Sequence, residues 1–155
     1  MELTAGAASR DDLETLTRLL SEAAEAAGSE RGGPLFVRLE MPEPERFLEA
    51  SDHVALLGEI DGARLGVALV RLLVPRDGEA PVGRLELLYV EPEARGVGLG
   101  EVLVKEAASW AAGRGACGLD AVVLPGAREA KNFLESSGFV ARLIVMHRAI
   151  GGPEW

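Results

Sequence analysis

The sequence predicts an α/β fold in which helices cover both faces of a central sheet. The first observation is the order of predicted elements along the chain, β-α-α-β-β-β-α-β-α-β, which mixes strand runs with helices. The second is apolar spacing that alternates between helical periods and short continuous strand runs. No Pro-, Gly- or Ser-rich linker divides the 155 residues, so we expect a single domain spanning 1–155.

The first third of the chain predicts a short strand at residues 1–8 and two helices. Ser9 followed by Asp12 is a helix-start pattern, and Gly28 is a stop signal. Residues 29–52 are interpreted as a loop with a second short helix near residues 45–50. The apolar positions of the first helix share its helical spacing: Leu13, Leu16, Leu20, Ala23, Ala24 and Ala27.

The remaining elements follow from turns and apolar runs. Asp61-Gly62 joins strands at residues 53–60 and 64–74 as a hairpin, and residues 83–90 form the next strand. A helix follows, with Trp110 interpreted as core, and then come a strand at 119–124, a helix at 128–137 and a last strand at 140–150. The buried face of the long helix is predicted to hold Leu99, Val102, Leu103, Ala107 and Trp110.

Composition excludes several classes of protein. Apolar residues make up 48% of the chain and charged residues 26%, which is typical of a globular protein. The net charge of −9 argues against nucleic-acid binding and is consistent with a cationic substrate or with solubility alone. No apolar run reaches the roughly 18 residues of a membrane span.

Cysteine and histidine usage indicates the compartment and argues against a structural metal. The single cysteine, Cys117, is expected to be buried and structural, and a reducing cytoplasm is the expected location. The N-terminus lacks the pattern of a secretory signal. With two histidines, His53 and His147, no structural zinc site is expected.

Residues 85–100 carry the chemistry: an apolar strand, a short acidic turn, a glycine-rich loop and an amphipathic helix. A helix N-terminus exposes unpaired N–H groups and partial positive charge. Glycines allow a diphosphate to approach that backbone, and Arg95 adds a positive charge. A dinucleotide loop is excluded because Glu101 occupies the third glycine position, and a Walker loop because Gly-Lys-Ser/Thr is absent.

The segment resembles the cofactor signature of the GNAT acyltransferase superfamily, R/Q-x-x-G-x-G/A after a strand. Arg95, Gly98 and Gly100 match its three fixed positions. Residues 88–93 are similar to the strand and acidic turn that precede the loop in this family. The family's later helix, ending in Gly-Phe, is matched by Ala130, Phe133, Glu135, Gly138 and Phe139.

This resemblance implies a mixed, mostly antiparallel GNAT sheet that binds acetyl-CoA and no metal. The pyrophosphate would lie on the backbone of residues 95–100, and the pantetheine arm would pair with Leu88 and Val90. One of these two N–H groups would stabilise the thioester oxyanion. The implied cofactor-binding residues are Leu88, Tyr89, Val90, Arg95, Gly96, Val97, Gly98, Leu99, Gly100 and Glu101.

Glu86 is the candidate catalytic residue. Strand alternation predicts that it shares a face with Leu88 and that Tyr89 points to the opposite side, into the core. By the family resemblance, Glu86 would orient the substrate amine and accept its proton. The alternative is a structural glutamate paired with Arg84 or another arginine.

Two positions depart from the family pattern. The tyrosine that often protonates the leaving thiolate is replaced by Leu134, and the asparagine near the start of the same helix by Ala127. Ser136, Ser137 or a water are the possible substitutes for the acid.

The sequence therefore predicts an acetyl-CoA-dependent N-acetyltransferase acting on a primary amine of a small molecule or on an amino terminus. The alternative is a GNAT-fold module that binds acyl-CoA as a sensor or regulator, and transfer of a longer acyl group is a third possibility. Neither nucleic acid nor a membrane is an expected partner. Dimerisation, common in the family, leaves a homodimer open.

Overall fold

The computed structural model describes residues 1–152 and contains a five-stranded sheet in the order β1-β2-β3-β4-β5. Neighbouring strands from β1 to β4 are antiparallel, and β5 runs parallel to β4. The predicted mixed, mostly antiparallel sheet is therefore confirmed. The strands are β1 Leu3–Ala7, β2 His53–Ile60, β3 Ala63–Leu73, β4 Val82–Val90 and β5 Leu119–Ala121.

The helices fall in two compact units of the chain. Residues 1–23 and 42–122 form the first unit, which holds the whole sheet, and residues 24–41 with those from 123 onward form the second. The single domain stays a prediction. Short 3₁₀ turns lie at Arg10–Asp12 and Pro92–Ala94, and the helices are α1 Leu13–Gly28, α2 Gly33–Leu39, α3 Pro44–Glu49, α4 Leu99–Ala112 and α5 Arg128–Ser136.

The first helix begins as its capping pattern predicts. The backbone N–H of Ser9 donates to Asp12 Oδ2 at 2.8 Å, and the Asp12 carboxylate also pairs with Arg64 of β3. The bond from the Ser9 backbone, together with Arg64, holds the pKa of Asp12 below its usual value, although burial opposes the shift. Asp12 therefore links the start of α1 to the sheet.

The hairpin between β2 and β3 also forms as predicted. Asp61 and Gly62 both have positive φ, 50° and 85°, as a two-residue turn with the right-handed twist of a hairpin requires. Asp61 Oδ1 accepts a bond from the Glu2 N–H at 2.7 Å, which ties the turn to β1. Residues 54–58 of β2 and 66–70 of β3 are buried because helices cover the two faces of the sheet.

Two contacts identify those faces. A Cβ built on Gly66 would lie 3.0 Å from Leu103 of α4, so this side of the sheet is the α4 face. On the other side, the buried Tyr89 hydroxyl donates to Glu22 of α1 at 3.2 Å, which defines the α1 face. Burial and Glu22 raise the pKa of Tyr89. The prediction that Tyr89 packs in the core is confirmed.

Three sequence predictions on secondary structure were wrong. Residues 33–39 form a helix rather than a loop because Pro34 stands in the first turn of α2, where its fixed φ favours helix initiation. β5 ends at Ala121 rather than at 124, and Pro125-Gly126 follow in a turn closed by the Ala127 N–H to the Leu124 carbonyl (3.1 Å). Residues 140–150 form no strand, since the second unit has no strand among its described residues to supply a ladder.

Two side chains are more exposed than predicted. Cys117 is exposed rather than buried because it lies in the turn after α4, where its backbone N–H is bonded to the Pro81 carbonyl at 2.9 Å. Trp110 is half-buried rather than core, at the border of the buried stripe of α4, and the Arg114 guanidinium lies 4.3 Å from its ring centroid. Neither residue takes part in the site described below.

Candidate active site

Glu86 lies in a β-bulge of β4, which determines its position. Leu87 pairs with Leu69 of β3, but Leu85 pairs with Val70, so Glu86 is an extra residue without a cross-strand partner. A bulge reverses the alternation of side chains along its strand. The bulge therefore sets the direction of every β4 side chain beyond it.

The prediction that Glu86 and Leu88 share a face is wrong for this reason. Leu88 pairs with Ala68, which alternation places with Gly66 on the α4 face. Glu86 bonds to Arg71, five residues beyond Gly66 on β3 and therefore on the α1 face. Glu86 and Tyr89 consequently belong to the same face, not to opposite ones.

The bulge also marks the point where β4 loses its second neighbour. The parallel pairing with β5 covers residues 83–85 of β4 and closes with the Val122 N–H donating to the Leu85 carbonyl at 3.1 Å. From residue 86 onward, β3 is the only strand within residues 1–152 that pairs with β4. Residues 82–85 are called the paired half of β4 below, and residues 86–90 the open half.

Backbone groups of Leu88 and Val90 point toward the uncovered edge. The Glu91 N–H donates to the Leu65 carbonyl of the β3 side at 2.9 Å. Because antiparallel ladders alternate, Tyr89 also directs its N–H and C=O toward β3, whereas Leu88 and Val90 direct theirs away from it. The open half thus offers a ladder to an extended ligand, as the predicted pairing with a pantetheine arm requires.

The glycine-rich loop leads from this edge into α4. Gly96 and Gly98 have φ of 83° and 101°, a conformation that side chains disfavour. The Val102 N–H donates the first helical bond, to the Gly98 carbonyl at 3.1 Å, so the N–H groups of Leu99, Gly100 and Glu101 come before the first helical donor and have no acceptor within the helix. This end of α4 is therefore suited to an anion.

Arg95 is held beside both features. Its Nε donates to the Val90 carbonyl at 2.8 Å, and its guanidinium lies 5.8 Å from the Tyr89 ring centroid. The bond uses one of five guanidinium donors, which leaves the terminal nitrogens for phosphate. Because the Val90 carbonyl is occupied, the Leu88 N–H, the Leu88 C=O and the Val90 N–H are the open-half groups that face the edge.

The side chains of the predicted loop residues divide into two sets. Leu99 is buried in the core at 1% exposure and Tyr89 at 9%, so these two can meet a cofactor only through the backbone. Val97, Glu101 and Arg95 are exposed. The loop therefore presents backbone N–H groups and one arginine to its surroundings.

Glu86 is ion-paired, with a partner that the sequence did not single out. Its carboxylate accepts from Arg71 Nε, which agrees with the alternative of a pair with an arginine other than Arg84. Arg84 donates instead to Asp120 of β5 at 3.4 Å. The Glu86 side chain is 16% exposed and that of Arg71 is 38% exposed. One carboxylate oxygen of Glu86 thus contacts Arg71, and the side chain keeps part of its surface exposed where the open half begins.

The second unit contains the positions where the family pattern is lost. Leu134 of α5 is buried, and an apolar side chain can move no proton. The hydroxyls of Ser136 and Ser137 both donate to the Phe133 carbonyl, at 2.8 and 2.9 Å. Their capping bonds make these serines poor replacements for the missing tyrosine.

Sequence reasoning missed the bulge and Arg71. Buried and half-buried residues alternate regularly along residues 82–90 even though Glu86 is an extra residue, so the bulge leaves no mark on that pattern. Arg71 carried a signal: it is a charged residue within an apolar strand, opposite a strand that contains Glu86. His53 is bonded through Nδ1 to Asp52 at 2.7 Å.

The chain belongs to the GNAT acetyltransferase family. The model of the acetyltransferase (GNAT) family matches residues 14–139, which include the bulge, the open half and the glycine loop. No curated protein matches the chain in sequence.

Solved structures show the same fold. A ribosomal-protein-alanine N-acetyltransferase from Brucella melitensis biovar Abortus 2308 is 18% identical with a TM-score of 0.74, covering 97% of this chain and 100% of its own. The aminoglycoside N-acetyltransferase AAC(6')-Iy, bound to a CoA-containing bisubstrate analogue, is 16% identical with a TM-score of 0.74, covering 96% and 99%. A transcriptional regulator from Bacillus halodurans C-125 is 20% identical with a TM-score of 0.70, covering 95% and 100%. At these identities the likeness establishes the fold.

Within residues 1–152, no helix is long and apolar enough to cross a membrane. The same residues contain no group of three or more His, Cys, Asp or Glu side chains placed to hold a metal ion.

Proposed function

We propose that this protein transfers the acetyl group of acetyl-CoA to a primary amine of a small molecule or an amino terminus. The observation that carries the proposal is the position of Glu86 at the bulge, where the open half of β4 begins. The Glu86 carboxylate would act as the base for the amine. The uncovered backbone edge of β4 that begins there would bind the thioester.

Acetyl-CoA would bind through backbone groups and Arg95. Its pyrophosphate is assigned to the N–H groups at the start of α4 and to the Arg95 guanidinium. Its pantetheine arm is assigned to the N–H and C=O of Leu88 and the N–H of Val90. One of these two N–H groups would then donate to the thioester oxygen, a contribution worth about 10² to 10³ in rate in enzymes where such a donor was removed.

The reaction needs one attack and one proton transfer. The neutral amine attacks the thioester carbon, the N–C bond forms and the C–S bond breaks. Glu86 accepts the proton that the nitrogen loses, directly or through a water, and the CoA thiolate leaves. Solvent protonates that thiolate, because Leu134 cannot; a reference thiol pKa near 8.5 makes it a tolerable leaving group.

The partners in this proposal are acetyl-CoA and an amine, with no metal. Aminoglycosides and a ribosomal protein are the acceptors named for structural relatives, and both present amines. We propose a cytoplasmic location because the chain holds a single cysteine. A homodimer is proposed from the family's frequent dimerisation alone.

A second candidate is an acyl-CoA sensor or regulator. It is favoured by the buried Leu134 at the position of the family's tyrosine, and a structural relative is named as a transcriptional regulator. Such a protein would bind acyl-CoA without transferring the acyl group.

A thermal titration tests the cofactor first. Acetyl-CoA at about 100 times its Kd adds about 2.7 kcal/mol to the free energy of unfolding, which raises the Tm of a chain of this length by several degrees. NAD and ATP at the same concentrations serve as controls. Equal rises in Tm with all three ligands, or no rise with acetyl-CoA, would contradict the proposed acetyl-CoA site.

An acetylation assay then separates the enzyme from the sensor. In a broad amine panel we expect Glu86→Gln to lower kcat/KM by about 10² to 10⁴. Glu59→Gln is the matched control, since Glu59 is also a strand glutamate paired with an arginine, at 3.5 Å from Arg64, but it belongs to β2 and not to the bulge of β4. Absence of turnover in the wild type, with acetyl-CoA bound, would favour the sensor.

A further inference from the structure

Arginines stand beside Glu86 on two neighbouring strands. Arg71 of β3 is paired in register with Arg84 of β4, so their side chains leave the same face of the sheet. Glu86, in the bulge, bonds to Arg71 on this face. This group of charges lies where the pairing of β4 with β5 ends, next to the open half.

The two guanidiniums are only partly used. Arg71 contacts Glu86 through Nε, so the edge formed by its two terminal nitrogens can meet a second anion. Arg84 donates to Asp120 at 3.4 Å, and its buried Nε has no hydrogen-bond partner within the described residues. Asp52, bonded to His53, is a further carboxylate near Arg71.

We infer that the acceptor is an amine bearing an acidic group next to the amine, such as an α-amino acid. The inference rests on the proposed function. The acceptor's amine would bind the second oxygen of Glu86 while its carboxylate binds the terminal nitrogens of Arg71. Because Glu86 and Arg71 are themselves in contact, the amine and the acid that they hold must lie close together in the acceptor.

The residue types fit this assignment. A planar guanidinium binds a carboxylate through two parallel bonds, which a lysine cannot reproduce. An acceptor without the acidic group would leave the terminal nitrogens of Arg71 without an anion next to Glu86. A polycationic acceptor would in addition place like charge against both arginines, whose own carboxylate partners, Glu86 and Asp120, are already engaged.

Matched acceptors test the inference. Each of several α-amino acids is compared with its amide and with the amine that lacks the carboxylate, using kcat/KM corrected to the unprotonated amine. We expect each acid to exceed both counterparts by about tenfold or more, the usual worth of a hydrogen bond to a charged group. Equal use of the three members, or preference for the uncharged ones, overturns the inference.

Variants of Arg71 separate recognition of the acid from support of Glu86. Arg71→Gln also removes the partner of Glu86 and so affects every acceptor, but it should lower kcat/KM about tenfold further for the acid than for the amide and so remove the preference. Arg71→Lys, which keeps the charge, should retain part of the preference. Arg64→Gln is the control, a substitution on the same strand that also breaks an arginine–carboxylate pair. An equal fall for acid and amide in Arg71→Gln overturns the inference.

Failure of the inference is distinguishable from failure of the proposed function. Acetylation of plain amines, but of no amino acid, overturns the inference and leaves the function standing. Absence of a thermal shift with acetyl-CoA overturns the function itself. If acetyl-CoA binds without turnover, the amino acids are added to the complex with CoA and the Tm is measured again. The inference is overturned if the Tm does not rise further.

Discussion

The two halves of β4 differ in what covers them. The paired half, residues 82–85, has β3 on one side and β5 on the other, and Gly83 lies so close to α4 that a Cβ would come 2.8 Å from Ala111. The open half, residues 86–90, has the same apolar character but pairs with β3 alone. The difference divides one strand into a half paired on both sides and a half that is proposed to bind the cofactor, with the bulge at Glu86 as the boundary.

This division separates two kinds of substitution. Changes to the packed residues of the paired half, such as Gly83, should lower stability and leave the chemistry of the folded protein unchanged. Changes in the open half and its loop should affect the binding of acetyl-CoA or of the amine, whether or not they also lower stability. The following predictions run from the largest expected effect to the smallest.

Gly83→Ala should have the largest effect on stability. The new methyl group would lie 2.8 Å from Ala111 Cβ and 3.1 Å from Leu119 Cδ1, so α4 or β5 must shift. We expect a loss of about 1–3 kcal/mol in the free energy of unfolding, measured by urea denaturation. The KM for acetyl-CoA should stay within twofold. Gly118→Ala, whose Cβ would meet nothing within 4 Å, is the control.

Gly98→Ala should affect the cofactor. Gly98 has φ of 101° at the start of α4, so a side chain costs about 1–2 kcal/mol of backbone strain and disturbs the loop proposed for the pyrophosphate. We expect the Kd for acetyl-CoA to rise at least tenfold, measured by calorimetry. Gly78→Ala introduces the same strain at φ of 75° in the β3–β4 connection and should leave the Kd unchanged. Equal Kd values for the two variants would remove the loop from the binding site.

The pair of Asp12 with Arg64 is a structural carboxylate–arginine pair that can be compared with the pair of Glu86 and Arg71. The pKa of Asp12 is lowered in the folded state, so it contributes stability above the unfolded-state value near 3.9, and that contribution is lost as pH falls through the folded-state pKa. We expect Asp12→Asn to cost about 1 kcal/mol at pH 7, as loss of a helix cap does, and less below pH 4. Urea denaturation at both pH values measures this. A cost independent of pH would contradict the assigned role.

The sequence predicts the local features of the fold well. The Asp61-Gly62 turn, the capping pair of Ser9 and Asp12 and the glycine loop each depend on a few neighbouring residues with strong conformational preferences. The family match over residues 14–139 confirms what the loop motif indicated. Local chemistry was sufficient for these elements.

The features that the sequence did not predict depend on partners distant in the chain. The bulge at Glu86 exists only in the register of β4 against β3, and Arg71 becomes relevant only through that register. Residues 140–150 carry strand-forming side chains, yet Val145 is 85% exposed without a ladder, since propensity cannot supply a neighbouring strand. The roles of Glu86 and of the loop residues remain proposals.

Amide hydrogen exchange along β4 tests the central claim most directly. At labelling times too short for the paired half to exchange, the N–H groups of Leu88 and Val90 should exchange in the free protein. Saturating acetyl-CoA should slow both at least tenfold, while Leu87 and Tyr89, whose N–H groups face β3, stay unchanged. If Leu88 and Val90 exchange equally fast with and without acetyl-CoA, the open half does not hold the cofactor and the account is contradicted.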